Sequence, residues 1–240
     1  MKPMTPATIC VFARPPVPGR TKARLAAEIG PEAAAAIAGA LLADTLAAIR
    51  AVPGVQVVLS VTEPFFDGRG PQRAYGARPA SARADEATAY IPQWVQPEGG
   101  LGERLEWTLH RALEQSACAL AVGADTPALT PAMVRQALLR LEDCDAVLGP
   151  ADDGGFYLLG VKACPTGLLH GIRWSDPATR DDTLARLQAA KLSCGFGVPW
   201  FDLDTAADLR RAAALLEADT APAPHLAAEL RRLGLGVTLS

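Results

Sequence analysis

The sequence predicts an α/β fold with a mostly parallel central sheet flanked by helices. Short apolar runs alternate with longer helical patterns along the 240 residues. Residues 119–148 read as a buried strand, a helix started by Thr130 and Pro131, and a second buried strand. Both of these strands end in acidic, glycine-containing loops, and open α/β sheets bind ligands at that edge.

The remaining elements follow in chain order from the same patterns. Apolar runs predict strands at 8–13, 55–61, 90–95, 156–161 and 196–200. Helical patterns predict one helix from about residue 21, one over 31–52 and one over 177–190. Another is predicted to follow a glycine-rich turn at 98–104, and a last one begins after Thr205, with Asp208 completing its cap. Ser175 or Asp176 is expected to cap the 177–190 helix. Residues 65–89, rich in arginine and glycine, predict an irregular excursion that is either a lid or an insertion without a role.

Composition limits what the protein can be. Half of the residues are hydrophobic and the net charge is −3, which favours one globular domain over residues 1–218 with a tail at 219–240, and argues against nucleic acid as a partner. The five cysteines are scattered without CxxC spacing, so zinc and disulfides are not indicated and a cytoplasmic location is expected. No signal peptide or membrane span is predicted, and the assembly state stays open.

A basic loop follows the first strand. Arg14, Arg20, Lys22 and Arg24 lie within eleven residues that contain no acid, and prolines with Gly19 keep the loop irregular. Fixed cations and free backbone N–H groups suit a polyphosphate, so we expect these four side chains to converge above the sheet edge. The alternative is a solvated loop.

Acidic residues follow other strand ends. Asp125 ends the 119–122 strand, Asp153 opens the turn completed by Gly154 and Gly155, and Asp202 alternates with Asp204 after the last strand. The alternation points the last two carboxylates the same way in extended chain, and we expect them to meet Asp125. We also expect a glycine of the turn at positive φ. The alternative is that Asp202 and Asp204 only interact favourably with the dipole at the N-terminus of the helix that follows.

Five ordered motifs (FARPPVPGRTKARL, GADTPALTP, GPADDGGFYLLG, IRWSD and DLDTAADL) cover nearly the whole chain to about residue 215. Together they resemble the small GT-A-like transferases associated with radical-SAM and selenodomain clusters, often labelled glycosyltransferases and related to phospholactate and molybdenum-cofactor guanylyltransferases. The resemblance implies a single Rossmann-like GT-A (nucleotide-diphosphosugar transferase) domain that binds a nucleotide-activated substrate with a divalent metal.

The resemblance also implies roles for individual residues. It makes Asp125, Asp202 and Asp204 metal ligands, and Lys22, Asp125 and Asp153 catalytic. The phosphate-binding positions that it implies are Arg14, Gly19, Arg20, Lys22, Arg24, Gly154 and Gly155. This sequence departs from the usual pattern at Arg14, Ala23, Thr126, Ala128 and Phe156, where lysine, threonine, cysteine, aspartate and tyrosine are usual.

The residue types leave three functions open. Carboxylates without a histidine or thiolate cluster suit Mg²⁺ or Mn²⁺. Nucleotidyl transfer from an NTP to a small phosphorylated or carboxylate acceptor is slightly favoured, because a four-cation loop compensates a triphosphate and an ionised acceptor needs no general base. Glycosyl transfer from a nucleotide-diphosphosugar to a small acceptor, with Asp153 as base, is the alternative. The third is a nucleotide-binding module without catalysis.

Overall fold

A computed structural model describes residues 5–64, 91–218 and 222–235. The predicted 65–89 excursion lies outside the described residues, as do parts of the predicted tail. The division into a domain at 1–218 and a tail at 219–240 stays a prediction.

Seven strands form one mixed sheet in the order β3-β2-β1-β4-β6-β5-β7. Every pairing is parallel except the two made by β6, so the predicted α/β class is confirmed. The strands are β1 (Thr5–Ala13), β2 (Val55–Val61), β3 (Gln93–Val95), β4 (Ser116–Gly123), β5 (Ala146–Pro150), β6 (Phe156–Val161) and β7 (Cys194–Phe196).

The described helices pack on both faces of this sheet. They are α1 (Ala23–Ile29), α2 (Pro31–Arg50), α3 (Leu101–Leu113), α4 (Pro131–Asp143), α5 (Thr179–Ala189), α6 (Ala206–Glu217) and α7 (Pro224–Leu233). Thr130 caps α4 by accepting the Met133 N–H at 3.2 Å, as predicted. Thr205 and Asp208 form the predicted capping box of α6. Neither Ser175 nor Asp176 is the N-cap of α5, which is Ala178.

Strand β6 separates the two strands of the predicted βαβ unit. It pairs antiparallel with both β4 and β5, which therefore run parallel to each other without touching. Only residues 151–155 join β5 to β6, and a connection of that length can join only antiparallel neighbours. The glycine-rich turn at 154–155 is thus the turn of a hairpin at the carboxyl end of β5.

Apolar side chains fill both faces of the sheet. Ile9, Val11 and Val122 belong to one core cluster, and Cys10 and Leu148 belong to the cluster on the opposite face. Among the described helices, α2 is long and apolar enough by composition to cross a membrane, but 61% of that stretch is buried inside the protein, as in the core helix of a globular domain.

Helix α7 packs against α2 through one buried carboxylate. Asp44, in α2, is 5% exposed and accepts the backbone N–H groups of His225 and Leu226 at 3.0 and 2.9 Å. It also contacts the His225 Nδ1 at 2.8 Å. One polar residue inside an apolar helix therefore caps the first turn of α7.

Candidate functional site

Two neighbouring cavities lie at the carboxyl edge of the sheet. The larger, about 520 Å³, is called the basic cavity, and its charged lining comprises Arg14, Arg20, Lys22, Arg104, Asp125 and Asp204. The smaller, about 320 Å³, is called the acidic cavity, and its polar and aromatic lining includes Asp125, Asp153, Asp176, Asp202, Phe156, Tyr157 and Trp174. Asp125, Trp174 and Ser175 line both cavities, so they form the boundary between them.

Lys22 lines the basic cavity and pairs with both of its carboxylates. Its ammonium contacts the carboxylates of Asp125 and Asp204, each at 3.1 Å, and its side chain is only 3% exposed. Burial acts to lower the pKa of Lys22, but the charges of Asp125 and Asp204 outweigh burial and raise that pKa above its ordinary value. Lys22 holds a left-handed backbone conformation (φ 50°) at the N-cap of α1, which turns its side chain inward from the loop.

The basic loop does not converge as a group of four. Arg14 lines the basic cavity, and Arg20 does so while its guanidinium pairs with Glu63 at 2.7 Å. Arg24 is exposed and does not line the cavity, because α1 begins at residue 23 and directs that side chain outward. Gly19, at φ 77°, permits the turn of the loop but does not line the cavity either.

A further cation in the basic cavity, Arg104, was not predicted from the sequence. Arg104 extends from α3, and its guanidinium donates to the side-chain oxygen of Gln96 at 3.4 Å and to the Gly100 carbonyl at 3.3 Å. Gln96 is itself buried and donates to the Ser60 carbonyl at 2.9 Å. The buried amide therefore positions Arg104 at the wall of the cavity. The sequence predicted a glycine-rich turn at 98–104, but no motif identified Arg104 as a residue of the site.

The two late aspartates lie on different sides of Asp125. Asp202 lines the acidic cavity, whereas Asp204 lines the basic cavity. The two side chains diverge because residues 202–204 do not form a regular strand. Leu203 instead donates its N–H to the Asp125 carbonyl at 3.0 Å. Thr126 donates its hydroxyl to the Asp202 carboxylate at 3.1 Å. Burial, and then the charge of Asp125, raise the pKa of Asp202 to about 6.

The described residues contain no preformed cage for a metal ion. Within residues 5–64, 91–218 and 222–235, no group of three or more His, Cys, Asp or Glu side chains could hold a metal ion. Ligation by Asp125, Asp202 and Asp204 together thus stays a prediction, and the Lys22 ammonium lies between two of these carboxylates.

The turn between β5 and β6 has the predicted backbone. Gly154 has φ 89°, and a Cβ added there would come within 2.1 Å of the Pro177 carbonyl oxygen. Gly155 donates its N–H to the Asp153 Oδ1 at 2.8 Å, and both residues line the acidic cavity. The turn therefore presents an oriented carboxylate to that cavity.

The segment that carries Trp174, Ser175 and Asp176 forms the wall between the cavities. Asp182, in α5, accepts three N–H groups of Arg173, from the backbone at 3.1 Å and from the guanidinium at 2.8 and 2.7 Å. The hydrogen bonds and charge of Arg173 lower the pKa of Asp182 to about 2. Ser175 adopts a left-handed conformation, with φ 58°. The IRWSD motif marked this segment in the sequence, and Ser175 or Asp176 was expected to cap a helix, but no pattern placed the segment in the site.

Solved structures with the same fold were found by comparison. A proposed nucleotide-diphospho-sugar transferase from Desulfovibrio desulfuricans is 24% identical, with 96% of this chain and 97% of that chain covered and a TM-score of 0.76. A CMP:2-keto-3-deoxy-manno-octonic acid synthetase solved with CTP is 13% identical, with coverage of 89% and 99% and a TM-score of 0.52. A Mycobacterium tuberculosis protein in complex with manganese is 18% identical, with coverage of 87% and 98% and a TM-score of 0.50.

At these identities the likeness shows a fold shared with nucleotide-diphospho-sugar transferases. The comparison with curated proteins gives no match. A family model matches residues 45–176, a range that contains all of β2 through β6 and the segment with Trp174, Ser175 and Asp176. The chain therefore belongs to the family described as uncharacterized proteins conserved in bacteria (DUF2064).

Proposed function

We propose that this protein is a transferase that binds a nucleotide-activated donor in the basic cavity and its acceptor in the acidic cavity. The observation that carries the proposal is that the two cavities meet at Asp125, with cations in the first and carboxylates with aromatic rings in the second. A reacting centre at this boundary would be within reach of both substrates. The fold, shared with a proposed nucleotide-diphospho-sugar transferase, is consistent with this arrangement.

The charge of the basic cavity suits a diphosphate. Its four cations face two carboxylates, which leaves two positive charges in the lining. Arg14 and Arg104 are placed to form charge-assisted hydrogen bonds with phosphate oxygens, and Lys22 to neutralise charge at the leaving group. A nucleotide-diphosphosugar carries about two negative charges on its diphosphate, which this net charge balances, whereas a triphosphate carries more.

The residues also fit a divalent cation brought with the donor. Mg²⁺ is commonly held by one or two carboxylates together with substrate phosphates rather than by a cage made only of protein. Asp125 and Asp202 provide such a pair, and burial, followed by the charge of Asp125, raises the pKa of Asp202. Mg²⁺ or Mn²⁺ would neutralise the departing diphosphate when bound.

Glycosyl transfer is the reaction that this geometry supports best. The acceptor hydroxyl would give its proton to the Asp153 carboxylate, whose Oδ1 is already held by the Gly155 N–H. The acceptor oxygen would then form a bond to the sugar carbon of the donor. The bond from that carbon to the diphosphate breaks in the same step, and the nucleoside diphosphate leaves.

Nucleotidyl transfer from an NTP to a small phosphorylated or carboxylate acceptor is the second candidate. The observation in its favour is that Arg14 and Arg20 line the basic cavity in addition to Lys22 and Arg104, although Arg20 is paired with Glu63, so the lining holds charge for a further phosphate. The synthetase of the same fold that was solved with CTP gives the same indication.

Product analysis distinguishes the two reactions. The purified protein would be incubated with Mn²⁺ or Mg²⁺ and either a panel of nucleotide sugars or a panel of NTPs, with small hydroxyl and phosphate compounds as acceptors. Glycosyl transfer releases a nucleoside diphosphate, and nucleotidyl transfer releases pyrophosphate. Failure of every nucleotide to bind in calorimetric titration, with either metal, would refute the proposal as a whole.

A further inference from the structure

The acidic cavity is lined by acidic rather than basic side chains. None of its lining residues, all of which belong to the described part of the chain, is lysine, arginine or histidine. Four carboxylates line it, from Asp125, Asp153, Asp176 and Asp202. Asp125 is paired with Lys22 and is shared with the basic cavity, but Asp153 and Asp176 have no cation within salt-bridge distance among the described residues.

Two of these carboxylates are oriented by the backbone. The Asp153 Oδ1 accepts the Gly155 N–H and the Asp176 Oδ1 accepts the Ala178 N–H, both at 2.8 Å. The second oxygen of each carboxylate receives no hydrogen bond from the described residues. Each of these oxygens is therefore free to accept a hydrogen bond from a ligand O–H, and a fixed carboxylate does so more strongly than a neutral acceptor.

Aromatic side chains complete the cavity. Phe156 and Trp174 meet edge to face, with centroids 6.1 Å apart and an interplanar angle of 72°. Tyr157 also lines the cavity, but its hydroxyl already donates to the Val198 carbonyl at 2.9 Å. Rigid ring faces beside oriented acceptors provide contacts for C–H groups and for hydroxyl groups of the same small molecule.

We propose that the acidic cavity is the acceptor subsite and that it takes an uncharged polyhydroxyl compound, a sugar or polyol, in preference to a phosphorylated or carboxylated one. The inference rests on the proposed function, because it presumes that the donor occupies the basic cavity. A phosphate or carboxylate group would face Asp153 and Asp176, and neither of these is paired with a cationic side chain among the described residues. Like charges brought together in this way are expected to weaken binding at least about tenfold.

The test compares matched acceptors that differ in charge. Glucose and glycerol would be titrated against glucose 6-phosphate and glycerol 3-phosphate, each with the full chain saturated by its nucleotide and Mn²⁺. Trp174 lines the cavity, so its fluorescence reports occupancy, and a Trp174→Phe variant gives the background from the other tryptophans. We expect a saturable response to the uncharged compounds and at least about tenfold weaker binding of their phosphorylated counterparts.

Variants identify the carboxylate responsible. Asp176→Asn keeps an oxygen that can accept the Ala178 N–H but removes the charge, so the discrimination against glucose 6-phosphate should fall several-fold. Asp176→Lys should reverse the preference. Asp181→Asn is the matched control, because Asp181 is exposed on α5, lies outside the cavity, and should leave the discrimination unchanged.

Three results would overturn the inference: tighter binding of the phosphorylated compounds by the unmodified protein, tighter binding of cationic glucosamine than of glucose, or no saturable response to any uncharged compound. Nucleotide titration is a separate measurement that precedes these. Failure there refutes the proposed function, whereas intact nucleotide binding with an anionic preference refutes only the acceptor class.

Discussion

Backbone strain at single residues coincides with the candidate site. Lys22 and Ser175 are two of only four non-glycine residues with positive φ in the described chain, and both line the basic cavity. Left-handed backbone disfavours residues with a Cβ and persists where the surrounding structure imposes it. At Lys22 the two carboxylates that hold the ammonium supply such a constraint.

Lys22 should matter for phosphate rather than for the nucleoside. Lys22→Ala removes the buried ammonium, so nucleotide affinity should fall about tenfold or more, as expected for the loss of a charge-assisted contact. A nucleoside without phosphates should lose far less affinity. Isothermal titration with both ligands measures the difference.

Arg24→Ala is the matched control for this prediction. Arg24 belongs to the same loop but is exposed and lies outside the basic cavity, so its removal should leave nucleotide affinity within a factor of two or so of the starting value, as for other exposed charges. Equal losses for nucleoside and nucleotide in Lys22→Ala would instead indicate general damage to the fold.

Sequence reasoning identified functional residues where a motif fixed them and missed those that only packing identifies. Asp125, Asp153 and Lys22 were candidates from their positions at strand ends and in the basic loop, and all three line the cavities. Arg104 was missed because it reaches the site only through its contact with buried Gln96, which precedes it by eight residues across a turn. That contact depends on how α3 packs beside β3, which no local pattern encodes.

At the scale of elements, the short hairpin between β5 and β6 shapes the acidic cavity. The predicted strands at 55–61 and 156–161 match β2 and β6 in their bounds, because continuous apolar runs mark buried strands clearly. The antiparallel direction of β6 could have been derived from the five-residue connection before it. Its position between β4 and β5 could not, because strand order depends on contacts distant in sequence.

Gly154 should be required for the close approach of this hairpin to the segment before α5. Gly154→Ala must accept both positive φ and a Cβ within 2.1 Å of the Pro177 oxygen, so it should destabilise the protein by more than the roughly 1–2 kcal/mol of a left-handed alanine. Gly171→Ala provides the comparison, because Gly171 has φ 75° but open space around its Cβ position. Urea unfolding of both variants measures the difference, and equal losses would show that the contact with Pro177 relaxes without cost.

The position of the wall formed by Trp174, Ser175 and Asp176 should depend on the ion pair between Arg173 and Asp182 of α5. Asp182→Asn removes the carboxylate that holds Arg173, so the apparent KM for the acceptor should rise several-fold, and nucleotide affinity should fall as well because Trp174 and Ser175 also line the basic cavity. Because the folded pKa of Asp182 is about 2 and its ordinary value is 3.8, the anchor is fully charged above about pH 5 and weakens as the pH falls toward 2.

Protease cleavage at the Arg173 peptide bond reports how firmly the segment is held. The difference in cleavage rate between the unmodified protein and Asp182→Asn should therefore be constant from pH 5 to 8 and should shrink toward pH 3. Asp181→Asn serves again as the control, because Asp181 immediately precedes Asp182 in α5 and its side chain is 72% exposed. A difference that grows on acidification would contradict the assigned role of the Arg173–Asp182 pair.

At the scale of the whole molecule, a buried aspartate adds polar contacts to the apolar packing of the last described helix against the core. Asp44 lies in α2, which also contributes Ala38 and Leu42 to the basic cavity, whereas other residues of the same stretch of α2 contact α7. Leu226 and Leu230 of α7 are buried in a cluster with Ile37 and Leu41. Asp44 therefore supports the packing of α7 without lining either cavity.

Asp44→Ala should lower stability while leaving nucleotide binding intact. The change leaves the N–H groups of His225 and Leu226 without their acceptor in a buried contact, which should cost about 2 kcal/mol or more. For a chain of this size that loss corresponds to a fall in Tm of roughly 4–8 °C. Asp143→Ala, at the exposed end of α4, removes an aspartate without a hydrogen bond to the described residues and should change Tm by no more than about 1–2 °C. Nucleotide titration of Asp44→Ala well below its Tm should give the affinity of the unmodified protein. A loss of affinity there would show that the packing of α7 is coupled to the basic cavity through α2, whereas an unchanged Tm would show that water replaces the carboxylate at the first turn of α7.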